Sequence, residues 1–180
     1  MKPQVPIEVD EATGVWTTDG LPMLYVPRHF FNNNHTAIEE ALGREKYAGL
    51  LYEAGYESAY FWCASEAQTH GLSGFAVFEH YLKRLSQRGW GQFRFSAVDA
   101  KSGSAEIRLE NSLFVLAQAA STATSAPAAG TRCYMFAGWF AGAMDWVLET
   151  SGLPVKTHSA ELQCGGQGHS HCLFRVRPQS

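Results

Sequence analysis

The chain has 180 residues, of which 46% are hydrophobic and 17% are charged. This length and composition are typical of one globular domain and argue against a disordered chain. The formal net charge of -3 implies no basic face, so we expect no direct nucleic-acid partner. The polar N-terminus lacks the pattern of a secretory leader, and no apolar run reaches the roughly 18 residues of a membrane span. The sequence therefore predicts a cytoplasmic protein without membrane contact, in which cysteines are thiols or metal ligands.

The first third of the chain predicts a hairpin followed by helix. Alternating residues on both sides of the Asp-Gly turn at 19–20 indicate two short strands. Residues 1–12, before this hairpin, are expected to be flexible. Thr36 opens a capping box, which predicts a helix start at that position. Gly43 and Gly55 predict that the helical stretch is broken into pieces.

The middle of the chain predicts one amphipathic helix and two strands. Residues 73–89 place apolar side chains along one stripe at helical spacing. Residues 90–98 and 104–117 alternate as two strands joined by a polar turn. Residues 117–131, rich in alanine, serine and threonine, predict a surface loop.

The last third predicts a buried helix and a terminal hairpin. Residues 133–152 are apolar nearly all round, and Gly138 and Gly142 within them indicate close packing against a neighbouring element or a dimer mate. Residues 154–164 and 172–178 predict two strands around a glycine- and histidine-rich loop. Because strands and helices are mixed without βαβ repetition, we expect an α+β fold, with one domain over all 180 residues and an antiparallel sheet packed against helices.

The segment "ELQCGGQGHSHC", residues 161–172, carries the side chains that metals prefer. Strand parity predicts that Cys164 and Cys172 both face the core, at the two ends of one loop. Glu161 falls on the opposite face of a straight strand, although the glycines that follow Cys164 permit a bulge. Cys133 opens the predicted buried helix, where the helix dipole favours a thiolate, and is the candidate fourth ligand.

These residues predict a zinc site of three cysteines and one glutamate. Its ligands would be Cys133, Glu161, Cys164 and Cys172. His169 or His171 could replace the glutamate, because imidazole is the commoner zinc ligand, and free thiols beside a polar loop are a further alternative. A site closed by four protein ligands is structural rather than catalytic, since no position stays open for water.

The same segment resembles a known family. Its pattern E-x-x-C-x-G-x-G-H-x-x-C is similar to that of 4-vinyl-reductase-like domains. It most resembles the sensor domains at the N-terminus of NtrC-class activators of phenol and xylene catabolism. The segments "CYMFAGWFAG" (133–142) and "EAQTHGLSGF" (66–75) resemble further parts of these sensors. The resemblance extends over residues 14–178.

The resemblance implies the ligand-binding fold of NO-signalling and Golgi-transport proteins. It further implies a zinc ion held by the three cysteines and the glutamate, a homodimer, and a buried aromatic-ligand pocket near the metal. The histidine that holds the ligand hydroxyl in these sensors falls on His70. The tryptophan that assists it falls on Leu109, which has no N–H to donate. The aromatic side chains expected to line the pocket are Phe75, Phe136, Trp139 and Phe140.

We therefore expect a stand-alone, zinc-containing sensor or carrier domain for a small aromatic or apolar molecule. The chain ends at Ser180 without the ATPase and DNA-binding segments of the sensors, so signal output would need a protein partner. No catalytic constellation is found, and an enzyme is not expected. The alternatives are an accessory role in tetrapyrrole vinyl reduction and an assembly role like that of TRAPP transport-complex subunits.

Overall fold

The computed structural model describes residues 5–121, 130–153 and 155–179. In these residues the predicted α+β class is confirmed, with two antiparallel sheets and helices packed against the larger one. The elements are β1 (Glu8–Asp10), β2 (Val15–Thr18), β3 (Leu21–Met23), α1 (Arg28–Leu42), α2 (Arg44–His70), α3 (Phe75–Gln87), β4 (Gln92–Asp99), β5 (Ser104–Glu110), α4 (Leu113–Ser121), α5 (Phe136–Thr150), β6 (Thr157–Gln163) and β7 (Cys172–Pro178). None of the described helices is both long and apolar enough to cross a bilayer.

The N-terminal residues form a small sheet of order β1-β2-β3. The predicted hairpin is confirmed, since β2 and β3 pair antiparallel across the Asp-Gly turn. Asp19 and Gly20 both have positive φ, at 53° and 76°, as a two-residue hairpin turn with the twist of the strands requires. Residues 8–10, inside the range expected to be flexible, are ordered as β1 by pairing with β2.

The boundaries of the first helices differ in part from the prediction. The expected start at Thr36 is wrong, because α1 begins at Arg28, directly after Pro27. The break at Gly43 is confirmed by its φ of 78° between α1 and α2. The break expected at Gly55 is wrong, because this glycine lies inside α2 and leaves room for the ring of Trp139, which a Cβ would meet at 2.3 Å.

Helix α5 lies at the centre of the fold, packed against α2 on one side and β6 and β7 on the other. It begins at Phe136, so Cys133 lies in the turn before the helix rather than in its first turn. Gly138 and Gly142 face the backbone carbonyls of Tyr52 and Tyr56 in α2, which confirms the predicted close packing against a neighbouring element.

The larger sheet has the order β4-β5-β7-β6, with every neighbouring pair antiparallel. The prediction of strand from 104 through 117 is wrong at its end. Asn111, with φ of 53°, turns the chain out of β5, and α4 then begins at Leu113. Residues 117–121 of the expected 117–131 loop are therefore helical, while 122–129 lie outside the described residues.

Candidate metal centre

The four predicted metal ligands converge on one point. Their ligand atoms all lie within 4.8 Å of one another, although they come from three segments of the chain. Cys133 lies before α5, Glu161 and Cys164 lie at the end of β6, and Cys172 begins β7. The Sγ atom of Cys172 lies 3.5 Å from that of Cys133 and 3.7 Å from that of Cys164.

A β-bulge in β6 brings Glu161 and Cys164 to the same face. Glu161 pairs with Phe174 and Gln163 with Leu173, so two steps along β6 correspond to one step along β7 at this point. Leu162, two positions before Cys164, is 46% exposed while Cys164 is buried, so simple strand parity fails at this point. The bulge thus removes the parity objection to Glu161 as a ligand.

Backbone N–H groups point at two of the sulfur atoms. Arg132 donates to the Sγ atom of Cys164, and Gly165 donates to the Sγ atom of Cys172, both at 3.3 Å. Such donors stabilise negative charge on sulfur, because a hydrogen bond to the charged form favours it. The donor to Cys164 favours its thiolate, whereas hydrogen bonding to the Cys164 sulfur and burial raise the pKa of Cys133 and Cys172. These two residues therefore stay thiols until a cation displaces their protons.

The electrostatics of the cluster favour a cation. Burial raises the pKa of Glu161 to about 9, and the negative charge of Cys164 adds to this shift. Hydrogen bonds from the Cys133 and Cys172 thiols lower the pKa of Cys164 far below its usual value. Glu161 Oε2 accepts the N–H of Cys133 at 2.9 Å, but its buried Oε1 has no hydrogen-bond partner among the described atoms. A divalent cation would neutralise the Cys164 thiolate, displace the protons of the other ligands and occupy the free oxygen of Glu161.

The spacing of the sulfur atoms also fits a metal ion. Zinc bound tetrahedrally at about 2.3 Å from each sulfur separates two sulfur atoms by about 3.8 Å. The observed separations of 3.5 and 3.7 Å are close to that value. The cluster could hold a metal ion with little movement of its side chains.

The two histidines of the loop lie outside this cluster. His169 is exposed, and the His171 ring contacts the side chains of Gln163 and Ser170. Among the alternatives that the sequence left open, the geometry therefore favours Glu161 as the oxygen ligand.

Most of the predicted pocket residues lie in one apolar cluster beside the cysteine–glutamate cluster. Phe136, three residues after Cys133, is fully buried and packs against Trp139 with ring centroids 5.2 Å apart. Leu109 is buried and lies opposite Cys172 in the pairing of β5 with β7. The remaining members join this cluster through aromatic contacts, Phe140 with Phe78 at 6.5 Å and Phe78 with Phe75 at 5.9 Å.

His70 has polar neighbours instead. It lies at the end of α2, with its side chain 30% exposed, and its Nε2 atom is 3.3 Å from a carboxylate oxygen of Glu66. Its imidazole ring packs against that of His80, with centroids 4.8 Å apart. Within the described part of the chain, its contacts connect it to this polar group rather than to the rings of α5.

The residues around His70 were not predicted from the sequence. Glu66 precedes His70 by four positions on α2, and His80 and Arg84 have the same spacing on α3. Residues four apart share one helix face, so each pair could have been found from sequence. The contact between the two helix faces could not have been found from sequence, because it depends on how α2 and α3 pack.

The fold and the cluster define an α+β domain with a cysteine–glutamate site that could hold a metal. The sequence model of a family described as a domain of unknown function (DUF5943) matches residues 1–96, more than half of the chain, and the chain belongs to this family. A search of curated proteins gives no match.

Three solved structures share the fold. The phenol-responsive sensory domain of the transcription activator PoxR, solved with phenol, is 18% identical with a TM-score of 0.77, over 96% of this chain and 84% of its own. A trafficking protein particle complex subunit 3 from Naegleria fowleri, covalently bound to palmitic acid, is 12% identical with a TM-score of 0.58, over 85% of this chain and 95% of its own. A vinyl-4-reductase family protein from Methanocaldococcus jannaschii is 16% identical with a TM-score of 0.55, over 88% of this chain and 85% of its own. The predicted resemblance to the 4-vinyl-reductase-like fold is thus confirmed at the level of the fold.

Proposed function

We propose that this chain is a metal-stabilised sensor or carrier domain that binds a small aromatic or apolar molecule. The observation that carries the proposal is the position of the cysteine–glutamate cluster. It joins the turn before α5 to the β6–β7 hairpin, on a fold shared with a phenol-responsive sensory domain. The metal would hold one wall of the aromatic cluster in place.

The ion at this centre is proposed to be Zn²⁺ in a structural role. Three thiolates and one carboxylate suit zinc, and four protein ligands leave no open position for a reacting water. The four cysteines of the chain are free and buried, which suits the reducing environment of the cytoplasm.

The ligand is proposed to bind among the rings that follow Cys133. Phe93 packs edge to face against Phe136 and Phe140, with centroid distances of 5.2 Å and 5.9 Å. Leu109 offers this cluster an apolar side chain without a hydrogen-bond donor. The preferred ligand therefore has an aromatic or aliphatic body and few polar groups.

The first test is metal content. Protein purified without added metal should contain about one equivalent of zinc, and Cys164→Ser should lose it together with much of the thermal stability, because metal binding contributes to the folding free energy. Cys63→Ser is the matched control, since Cys63 is buried in α2 away from the cluster. Equal zinc content and equal melting temperatures in the wild type and Cys164→Ser would refute the metal assignment.

The second test is calorimetric titration of the zinc protein with phenols, benzoates and apolar aromatics. We expect saturable binding that is strongest for the apolar members and weaker in Leu109→Asn, which introduces a polar group into the cluster. His70→Ala tests whether His70 contributes to ligand recognition. The absence of binding across the whole panel would refute the sensor or carrier role.

A homodimer is proposed from the apolar side chains of the N-terminal segment. Leu24 and Tyr25 are each 83% exposed, and Phe30 is 60% exposed. Neighbouring exposed apolar residues commonly mark a protein interface. Light scattering should give a dimer for the wild type and a monomer for Leu24→Ser/Tyr25→Ser, while Val98→Ser, which changes an exposed residue of β4, leaves the dimer intact. A monomeric wild type would refute the homodimer, and the domain would then have to signal through a different protein partner.

A further inference from the structure

A second group of metal-ligating side chains lies between α2 and α3. Glu66 and His70 lie one turn apart on α2, and His80 faces them from α3. The Oε2 atom of Glu66 is 2.8 Å from Nε2 of His80 and 3.3 Å from Nε2 of His70. All three ligand atoms lie within 4.8 Å of one another.

Glu66 is the unusual member of this group. Its side chain is fully buried, at 0% exposure, and its Oε1 atom has no hydrogen-bond partner among the residues that the structure describes. An ionised carboxylate is costly to bury unless it is paired, hydrogen-bonded or bound to a metal. One oxygen of Glu66 is thus left with a bonding capacity that the protein does not use.

We propose that Glu66, His70 and His80 bind one divalent transition-metal ion at a second site, with nitrogen and oxygen ligands. Ligand atoms about 2.1 Å from an ion are about 3.0 Å apart at right angles and about 3.4 Å apart at the tetrahedral angle. The contact of Glu66 Oε2 with His70, at 3.3 Å, lies within this range, and its contact with His80, at 2.8 Å, is slightly shorter. The site requires no change of helix packing, only rotation of side chains that already meet.

The ligand set predicts an open site. Two histidines and one carboxylate leave coordination positions free, a pattern that is typical of iron and of catalytic zinc. The His70 side chain is 30% exposed, so the site borders solvent on the side of this histidine. The ion would therefore carry water or a small oxygen ligand, in contrast to the closed cysteine–glutamate centre.

A guanidinium moderates the affinity of this site. Nε of Arg84 lies 3.6 Å from Glu66 Oε2, where it competes with a cation for the carboxylate. Asp19 offsets this charge, since its carboxylate accepts from Arg84 Nη2 at 2.6 Å and lies 3.7 Å from His70 Nε2. We therefore expect weaker binding than at the cysteine–glutamate centre, so that mild chelation empties the second site first.

Cobalt(II) distinguishes the two sites, because only thiolate ligands produce intense sulfur-to-metal charge-transfer absorption. Metal-free protein should bind two equivalents of Co²⁺, one with that absorption and one without. His80→Gln and His70→Gln should each abolish the second equivalent or weaken it by more than about 100-fold, since even outer-shell partners of a metal are worth about 10- to 100-fold. Both should keep the charge-transfer absorption, which reports that the rest of the protein is folded.

The control is His158→Gln, which changes an exposed histidine stacked on Tyr52 and should still bind two equivalents. One equivalent in the wild type, unchanged in His80→Gln, would overturn the proposal and leave a hydrogen-bonded polar network between α2 and α3. The proposal of a metal at the cysteine–glutamate cluster would be refuted by a different result, the absence of the charge-transfer absorption.

Discussion

Replacing Gly138 by alanine tests how tightly α5 is packed against α2. A Cβ at this position would lie 2.0 Å from the carbonyl oxygen of Tyr52 and 2.7 Å from its carbonyl carbon, where real Cβ atoms essentially never approach closer than 3.0 Å. The atoms that the Cβ would meet belong to the backbone and cannot rotate away, so the two helices must separate by about 1 Å. A gap of this size removes a quarter to a half of the dispersion energy of each atom pair across it.

The cost follows from the number of contacts that open. An atom pair contributes about 0.1–0.2 kcal/mol, and about 40 pairs, as many as one buried leucine makes, would lose about 1–4 kcal/mol. Alanine recovers about 1 kcal/mol through its higher helix propensity. Gly138→Ala should therefore lower the free energy of unfolding by up to about 3 kcal/mol, and the melting temperature by up to about 12 °C for a chain of this length.

The same substitution at Gly49 is the matched control. Gly49 also lies in a helix, α2, but nothing lies within 4 Å of a Cβ built there. Gly49→Ala should stabilise the protein by about 1 kcal/mol, because only the helix propensity changes. Urea denaturation of both variants measures the difference. If Gly138→Ala is as stable as Gly49→Ala, the close approach of α5 to α2 is refuted.

Two further substitutions test buried polar groups. Burial lowers the pKa of His35, so below pH 6.5 the unfolded chain binds a proton that the folded state binds less readily. Its contribution to stability is present above pH 6.5 and lost as the pH falls. Urea denaturation of His35→Phe at several pH values should therefore show a smaller loss of stability at low pH than the wild type, whereas exposed His29→Gln should lose as much stability as the wild type. A His35→Phe profile parallel to that of the wild type would refute this reasoning. Asp145 accepts hydrogen bonds from the N–H of Thr157 at 2.8 Å and from the hydroxyl of Tyr56 at 2.7 Å. Asp145→Asn should leave one of these donors unpaired and lower the free energy of unfolding, measured by urea denaturation, by about 1–3 kcal/mol. A decrease below about 0.5 kcal/mol would contradict this geometry.

Local patterns predicted the elements whose causes are local. The Asp-Gly pair at 19–20 predicted the first hairpin because both residues tolerate the positive φ that such a turn requires. The apolar run of 133–152 predicted a helix buried nearly all round, and α5 is that helix. Residues 112–117 were mistaken for strand, because their apolar side chains suit both periods and the turn at Asn111 decides between them.

The ligand types of the candidate metal centre were also readable from the sequence. Three cysteines and a glutamate are rare side chains with a strong chemical preference, so their presence near a glycine-rich loop carried information without a structure. Strand parity, however, wrongly set Glu161 apart from Cys164. The β-bulge that reunites them arises from the pairing of β6 with β7, a relation between two strands.

The sequence by itself determined the α+β class, the buried central helix and the set of side chains able to bind a metal, because each depends on residue type and short-range spacing. The family resemblance implied Glu161 rather than a histidine, but only the tertiary structure decided that Glu161 lies beside the three cysteines and that His70 faces Glu66 and His80. Both outcomes depend on which elements pack together and in what register. The free energy of that packing is a sum over contacts between residues that lie far apart in the chain. Such contacts cannot be predicted from a local sequence pattern.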